Sequence, residues 1–374
     1  MLTRFSVKNY KNFKDEIELD FTNTRDYRYG EKCVFNGYLS KMIMMGTNGS
    51  GKTNFGYALF DIVMMLTDKN CKPEQKDQQS FLNCDSADRS ATFKYEFEFD
   101  NDHISYEYHK TDPYHAIFET LSINDQQIFT FDKTSSSDFS NMEKIGAETL
   151  NMKGLDGTIS VLRFVYNNTI HAKNSPISKM MDFVQHMLYF RSTQDGNSFI
   201  GFSKNGEIIE QYIMDNGLTK DFQKFLKDMA NLDIMLTGFN VKGYGKIFVQ
   251  DFGTKKIPFA NIASSGSRAL ELFYYWMKKF DDISFLFIDE FDAFYHYEMS
   301  ERVLVFLIEN YPKMQMILTS HNTDLVNTDL MRPDCYLIIG NNEIRSLSDS
   351  TDRELRVGHN LEKMLRNGEF DERP

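Results

Sequence analysis

Apolar and polar positions alternate with a period of two along much of the first third of the chain. Phe5 and Val7 predict a first strand, and Ile17, Leu19 and Phe21 a second. The polar turn Asn9-Tyr10-Lys11-Asn12-Phe13-Lys14 lies between them. The alternation resumes at Phe93/Tyr95/Phe97/Phe99 and Ile104/Tyr106/Tyr108, then at Ile117/Leu121/Ile123 and Ile128/Phe129/Phe131. Turns at Asn101-Asp102 and Asn124-Asp125 make this an antiparallel meander with one buried face. Residues 42–45 and 285–288 are unbroken apolar runs and 314–318 is apolar but for Gln315, as strands buried on both faces require. A period near 3.6 appears over residues 54–66, at Ile177/Met180/Val184/Met187, at Phe222/Phe225/Leu226/Met229 and at Ala269/Leu272/Phe273/Trp276. These predict helices, with the methionines as core filler. Antiparallel signals return at Ile247/Val249 and Ile257/Phe259. The polar residues 67–90 predict a loop, and the Ser-, Asp- and Gly-rich residues 132–158 a connection. No internal repeat or sustained heptad is visible.

Composition narrows the class without choosing a function. The chain has 374 residues, 41% hydrophobic and 26% charged, enough for one large or two modest globular domains. No apolar run approaches the roughly 18 residues that span a bilayer. The opening Met1-Leu2-Thr3-Arg4-Phe5-Ser6 passes straight into strand-like alternation, without a signal peptide's apolar region. A cytoplasmic location with no membrane partner is therefore expected. Cysteines 33, 71, 84 and 335 are scattered and form no metal or redox spacing. A net charge of −12 speaks against a surface that is basic all over. One local basic groove would suffice for DNA, which stays open as a partner without support from composition.

The sharpest chemical signal is Gly46-Thr47-Asn48-Gly49-Ser50-Gly51-Lys52-Thr53, a phosphate loop without mismatch. An apolar strand enters it and an amphipathic helix from Asn54 leaves it. Glycines let the backbone wrap phosphates, amides at the helix start face the negative charge, Lys52 reaches the β- and γ-phosphates, and the Thr53 hydroxyl takes Mg²⁺. ATP and Mg²⁺ are the expected ligands. Phe285-Leu286-Phe287-Ile288-Asp289-Glu290 ends an apolar strand in two carboxylates, where open α/β sheets bind ligands. Asp289 would hold Mg²⁺ and Glu290 would act as general base toward water. Thr319-Ser320-His321-Asn322 follows the next apolar strand, and His321 is placed to sense the γ-phosphate. Ser264-Ser265-Gly266-Ser267-Arg268 opens a helix whose amides around Ser265 and Gly266 suit an anion. An ordinary serine cap is the plainer reading of the same residues.

These four elements, in this order, resemble ATP-binding-cassette (ABC) ATPases: phosphate loop, signature, carboxylate strand and switch histidine. Within that class the chain is similar to the RecF/SMC-like branch, and to ATPases akin to the overcoming-lysogenization-defect (OLD) family. Carriers of the likeness are Phe5-Ser6-Val7-Lys8-Asn9-Tyr10-Lys11-Asn12-Phe13, the phosphate loop, Ser264-Ser265-Gly266-Ser267-Arg268, Leu286-Phe287-Ile288-Asp289-Glu290-Phe291-Asp292 and Leu318-Thr319-Ser320-His321-Asn322-Thr323. Arg332-Pro333-Asp334 before a last strand at residues 335–339, followed by a short charged tail, belongs with them. The resemblance implies an α/β fold of ABC head type: a mixed sheet around the phosphate-loop helix, with an antiparallel meander and a helical insertion. It divides the chain into an N-terminal ATPase lobe (1–170), a helical insertion (171–245) and a C-terminal lobe (246–374).

It also implies that Ser265 and Gly266 cap the γ-phosphate held by a second subunit, so that two chains sandwich two ATP molecules. Residues 292–296 would then cross between the sites, and the turn at Lys11 and Asn12 would approach the nucleotide. Gln75, Gln78 and Gln79 are the candidates for the glutamine loop of the class. Many such relatives work in antiphage systems. The expectation is an ATPase, a homodimer or higher homo-oligomer, that controls a separately encoded nuclease or toxin. The 53 residues after His321 are too few for the nuclease domain that OLD proteins carry, and no coiled coil or hook is present. A DNA repair or recombination ATPase that clamps DNA is the alternative reading. A transporter's nucleotide-binding subunit fits the degenerate signature and large middle segment poorly.

Overall fold

The computed structural model describes residues 1–69, 80–192, 197–203, 207–243 and 245–370. Two sheets organise them. The central one runs, edge to edge, through Phe199–Gly201, Met187–Arg191, Phe285–Asp289, Gln315–Thr319, Lys41–Met45, Tyr336–Gly340 and Glu343–Ser346. Its five inner strands are parallel, and an antiparallel strand closes each edge. The second sheet is the antiparallel meander, in the order Ile17–Asp20, Leu2–Lys8, Ala91–Phe99, Asp102–Asp112, His115–Ile123 and Gln126–Asp132.

The phosphate-loop helix, Lys52–Leu59, is packed between the two sheets. On one side the Phe55 ring meets Phe5 edge-on at 5.4 Å, and the Tyr95 hydroxyl donates to the Ala58 carbonyl at 2.9 Å. On the other side Gly56 lets the helix close onto the central sheet. A Cβ there would stand 2.7 Å from the Phe287 ring and 3.0 Å from the Tyr189 ring, inside contact distance. The opposite face of the central sheet is covered by the helix Ser265–Met277, whose buried Trp276 stacks on Phe190 at 6.0 Å and meets Phe199 edge-on at 4.8 Å. Cover on both faces explains why Lys41–Met45, Phe285–Asp289 and Gln315–Thr319 are buried at every position. The Ala91–Phe99 strand, covered on one side only, alternates instead. Gln315 ties the sheets together: its side-chain amide accepts from the Leu2 N–H and donates to the Leu2 carbonyl, both at 2.9 Å.

The α/β class, the mixed sheet around the phosphate-loop helix and the meander are thus as the sequence led us to expect. Several local expectations need correction. Residues 54–66 form two helices, Lys52–Leu59 and Asp61–Leu66, with the break at Phe60. The break points Asp61 at the meander, where its carboxylate takes both oxygens to Lys110 Nζ at 2.9 Å and one to the Tyr108 hydroxyl at 2.9 Å. Periodicity at Ile177/Met180/Val184/Met187 runs past the real end of the helix Pro176–Gln185, and Met187 instead begins a parallel strand of the central sheet. The stretch read as a helical insertion therefore carries helices at Ile209–Asp215 and Thr219–Ala230 together with three strands, Met187–Arg191, Phe199–Gly201 and Leu236–Val241. The polar ending is also more ordered than a charged tail, with the strand Glu343–Ser346 and the helix Leu361–Arg366. Among the described residues no helix is long and apolar enough to cross a membrane.

Asp61 and Lys110 are only 3% and 2% exposed, so neither charge has water to fall back on. Asp61→Ala is expected to destabilise the chain by about 3–5 kcal/mol, because it strands a buried ammonium. Urea unfolding measures this, and the double change Asp61→Ala with Lys110→Met should recover much of the loss. A cost below about 1 kcal/mol for the single change would show that Lys110 finds water or another partner.

Candidate functional site

The parallel register brings four strand ends to one rim: Met45, Arg191, Asp289 and Thr319. The first ends in the phosphate loop, where Gly49 and Gly51 take φ values of 79° and 107° that side chains rarely adopt. Gly51 also has no room to spare. A Cβ on it would lie 2.5 Å from Asn12 Nδ2 and 2.8 Å from the Phe13 ring. The helix then opens at Lys52 with no side-chain cap, which leaves its first amides for an outside acceptor. Lys52 Nζ folds over the loop, donating to the Gly46 carbonyl at 2.8 Å and the Thr47 carbonyl at 3.1 Å. Burial lowers the Lys52 pKa, against the attraction of Asp289 and Glu290. The Ser50 hydroxyl is buried without a hydrogen-bond partner. Asn48 and Gly49 form the exposed tip of the loop. Carbonyl-bound ammonium, orphaned hydroxyl and uncapped amides are a donor set that suits a polyphosphate.

The carboxylates stand beside it. Asp289 is fully buried and accepts from the Thr53 hydroxyl at 2.8 Å, the Thr319 hydroxyl at 2.7 Å and the Tyr189 hydroxyl at 3.3 Å. Burial pushes the Tyr189 phenol well above its ordinary pKa, so it stays a donor. Thr53 and Asp289 thus present two adjacent oxygens, the hard ligands Mg²⁺ prefers. The Glu290 N–H donates to Thr319 Oγ1 at 2.8 Å, and its backbone holds φ at 51°. A left-handed non-glycine residue costs on the order of 1–3 kcal/mol and is common where function fixes geometry. The Glu290 side chain reaches Arg191, whose Nη2 donates to Oε1 at 2.5 Å. Downstream, Ser320 Oγ donates to Asp292 at 2.7 Å, while burial pushes the Asp292 pKa up.

His321 is exposed and lines a cleft of about 520 Å³ together with Gly46, Thr47, Ile339 and Arg345. Asn12 accepts from the Asn54 side chain at 2.7 Å, so the turn after the first strand does reach the helix start. Its neighbour Lys11 takes φ of 50°, and its backbone is held by Phe81 and Asn83. Ser265 and Gly266 do not line the His321 cleft. They open the helix Ser265–Met277, where Ser264 Oγ accepts from the Ser267 N–H at 3.1 Å. A Cβ on Gly266 would lie 2.8 Å from the Phe294 carbonyl, so this helix start backs onto residues 292–296. Gln75, Gln78 and Gln79 lie outside the described residues. Sequence reasoning missed Tyr189 and Arg191. The signal was an apolar run, 187–190, ending in a charge, hidden by a helical spacing that reached Met187.

Residues 41–327, from the first residue of the phosphate-loop strand to beyond His321, match the family described as "AAA domain, putative AbiEii toxin, Type IV TA system". That span is most of the chain. The chain belongs to this AAA family. Among solved structures, this AAA chain is similar at 14% identity to the SMC head domain from Thermotoga maritima, over 92% of this chain and 97% of that one, with a TM-score of 0.42. It is similar at 12% identity to an Smc head domain with an extended coiled coil, bound to the C-terminal domain of ScpA derived from Pyrococcus furiosus. That match covers 98% of each chain with a TM-score of 0.44. An SmcHead bound to the C-winged helix domain of ScpA matches at 12% identity over 92% and 96%, with a TM-score of 0.46. No curated protein matches the chain at a significant level.

Proposed function

We propose that this AAA chain hydrolyses ATP in a sandwich formed with a second copy, and uses the cycle to time the docking or release of a separately encoded nuclease or toxin in antiphage defence. One observation carries the enzymatic part: Lys52, Thr53, Asp289, Glu290 and Thr319 converge at the ends of three adjacent parallel strands. Lys52 and the amides of the loop hold the β- and γ-phosphates. Thr53 and Asp289 hold Mg²⁺, which when bound neutralises phosphate charge. Glu290 orients and deprotonates the attacking water, and His321 meets the γ-phosphate side. Asn12 and Asn54 steady the helix start beside it. Ser265 and Gly266 face the nucleotide of the other copy.

The antiphage part rests on the motif resemblance and on the family description, which names a toxin of a type IV toxin–antitoxin system. On this reading residues 1–170 and 246–374 are the two lobes of the ATPase, and 171–245 is inserted between them.

The test is solution mass by light scattering, with and without Mg²⁺·ATP. The expected result is a doubling on nucleotide. Ser265→Arg, which puts a long cation on the face offered to the second copy, should abolish the doubling and leave nucleotide affinity within about twofold. A mass that ignores nucleotide, or a Ser265→Arg chain that still doubles, counts against the sandwich and the signature assignment respectively.

A further inference from the structure

Arg191 ends its strand directly opposite Asp289 in the parallel register, and its side chain leans over both carboxylates of the next strand. Nη2 binds Glu290 Oε1 at 2.5 Å, while Nε stands 3.5 Å from Asp289 Oδ2 and finds no hydrogen-bond partner. Among the described residues one good contact therefore holds the guanidinium. The surroundings decide which parts can move. Thr319 fixes the Asp289 carboxylate and the Glu290 N–H, and the Asp289 side chain is 1% exposed. The Arg191 and Glu290 side chains are 36% and 32% exposed, so these two can separate without opening the core.

We infer that Arg191 is a positioning residue that latches Glu290 in the nucleotide-free chain and is displaced when Mg²⁺ arrives with ATP. The inference rests on the ATPase reading above. Its physics is competition between cations: a guanidinium and a divalent ion cannot both neutralise Asp289 and Glu290 at close range without repelling each other. While Arg191 holds Glu290, the Oε1 oxygen of the carboxylate is engaged by the guanidinium. Once Mg²⁺ takes Asp289, the pair opens and Glu290 becomes available. The chain thereby has a reason not to form a working base before its substrate is in place.

The experiment titrates Mg²⁺ against binding of a fluorescent ATP analogue, at fixed analogue concentration, for the parent chain, Arg191→Ala, Arg191→Gln and Arg191→Lys. Thermal unfolding confirms that each variant is folded, and Arg191→Gln keeps a polar side chain of useful length if the alanine form is too unstable. With the competing cation removed, half-saturation should need about three- to tenfold less Mg²⁺, the effect of losing a partly exposed ion pair. Binding of the analogue without Mg²⁺ should stay within about twofold, and Arg191→Lys should return most of the parent's Mg²⁺ requirement. An unchanged requirement in both uncharged variants overturns the latch. So does a raised requirement, which would make Arg191 a support for the metal or phosphate. A parent chain that binds the analogue with no response to Mg²⁺ removes the ATPase reading itself, and the latch with it.

Discussion

Lys52→Ala is expected to abolish nucleotide binding, with a loss of about a hundredfold or more in affinity for a fluorescent ATP analogue. The size follows from what Nζ can do. It donates across the loop to the carbonyls of Gly46 and Thr47, beside the place where phosphate oxygens would lie. Each charge-assisted hydrogen bond it makes to a phosphate is worth roughly 1.5–3 kcal/mol, and two such bonds exceed a factor of a hundred. Stability of the nucleotide-free chain should not fall in step. Lys52 is 6% exposed, and burial lowers its pKa, so folding disfavours its charged form, which offsets the two carbonyl hydrogen bonds lost with it. Thermal unfolding of the variant without ligand should therefore match or slightly exceed that of the parent chain. Affinity retained within about threefold would mean that the phosphates bind elsewhere.

Glu290→Gln should separate binding from turnover. The amide keeps the shape, the acceptor toward Arg191 and the backbone N–H to Thr319. It also tolerates the left-handed φ of 51° no worse than glutamate does. What it loses is the capacity to take a proton from water. Steady-state phosphate release should drop by about 10²–10⁴-fold, the range general-base removal produces, with analogue affinity unchanged within about threefold. In Mg²⁺·ATP the variant should then accumulate as the doubled species, stable enough to isolate and to use as bait for the effector. Phosphate release that stays within about threefold of the parent would take the base role from Glu290. A variant that binds nucleotide but never doubles would leave hydrolysis intact as a reading and remove the trapped sandwich.

What the sequence disclosed about this site, and what it concealed, divides along one line. The phosphate loop was legible because geometry dictates its residue types: glycine where φ is positive, lysine and threonine where donors are needed. An apolar strand that stops at carboxylates is common by itself, and Asp289 and Glu290 stood out because theirs follows a phosphate loop. The meander showed itself through one-sided burial, read directly in the alternation at Phe93, Tyr95 and Phe97. Features set by distant contacts stayed hidden. The break at Phe60 belongs to the Asp61–Lys110 pair, 49 residues apart. The short helix Val161–Asn168 is anchored by Glu119, a residue of the meander that accepts the Val161 and Leu162 amides at 2.7 Å and 2.9 Å. The strand Met187–Arg191 was masked because neither glycine nor proline marks the end of the preceding helix, and its apolar residues continued the helical spacing. Arg191 went unseen for the same reason. The roles proposed for Ser265 and Gly266 depend on a second copy, which no single chain displays.

The order of strands in the central sheet also bears on how the protein is made. The phosphate-loop strand Lys41–Met45 lies between Gln315–Thr319 and Tyr336–Gly340, which leave the ribosome long after it. At about 5–20 residues per second, roughly 270 further residues keep it waiting for tens of seconds. The antiparallel meander has no such delay, since all its strands lie within residues 2–132 and can pair while translation continues. A nascent chain thus gains its meander early and its ATP site only after Gln315–Thr319 has emerged. A chain halted before Gln315 would fold in part yet lack the strand that carries Thr319, and so would remain inert toward ATP.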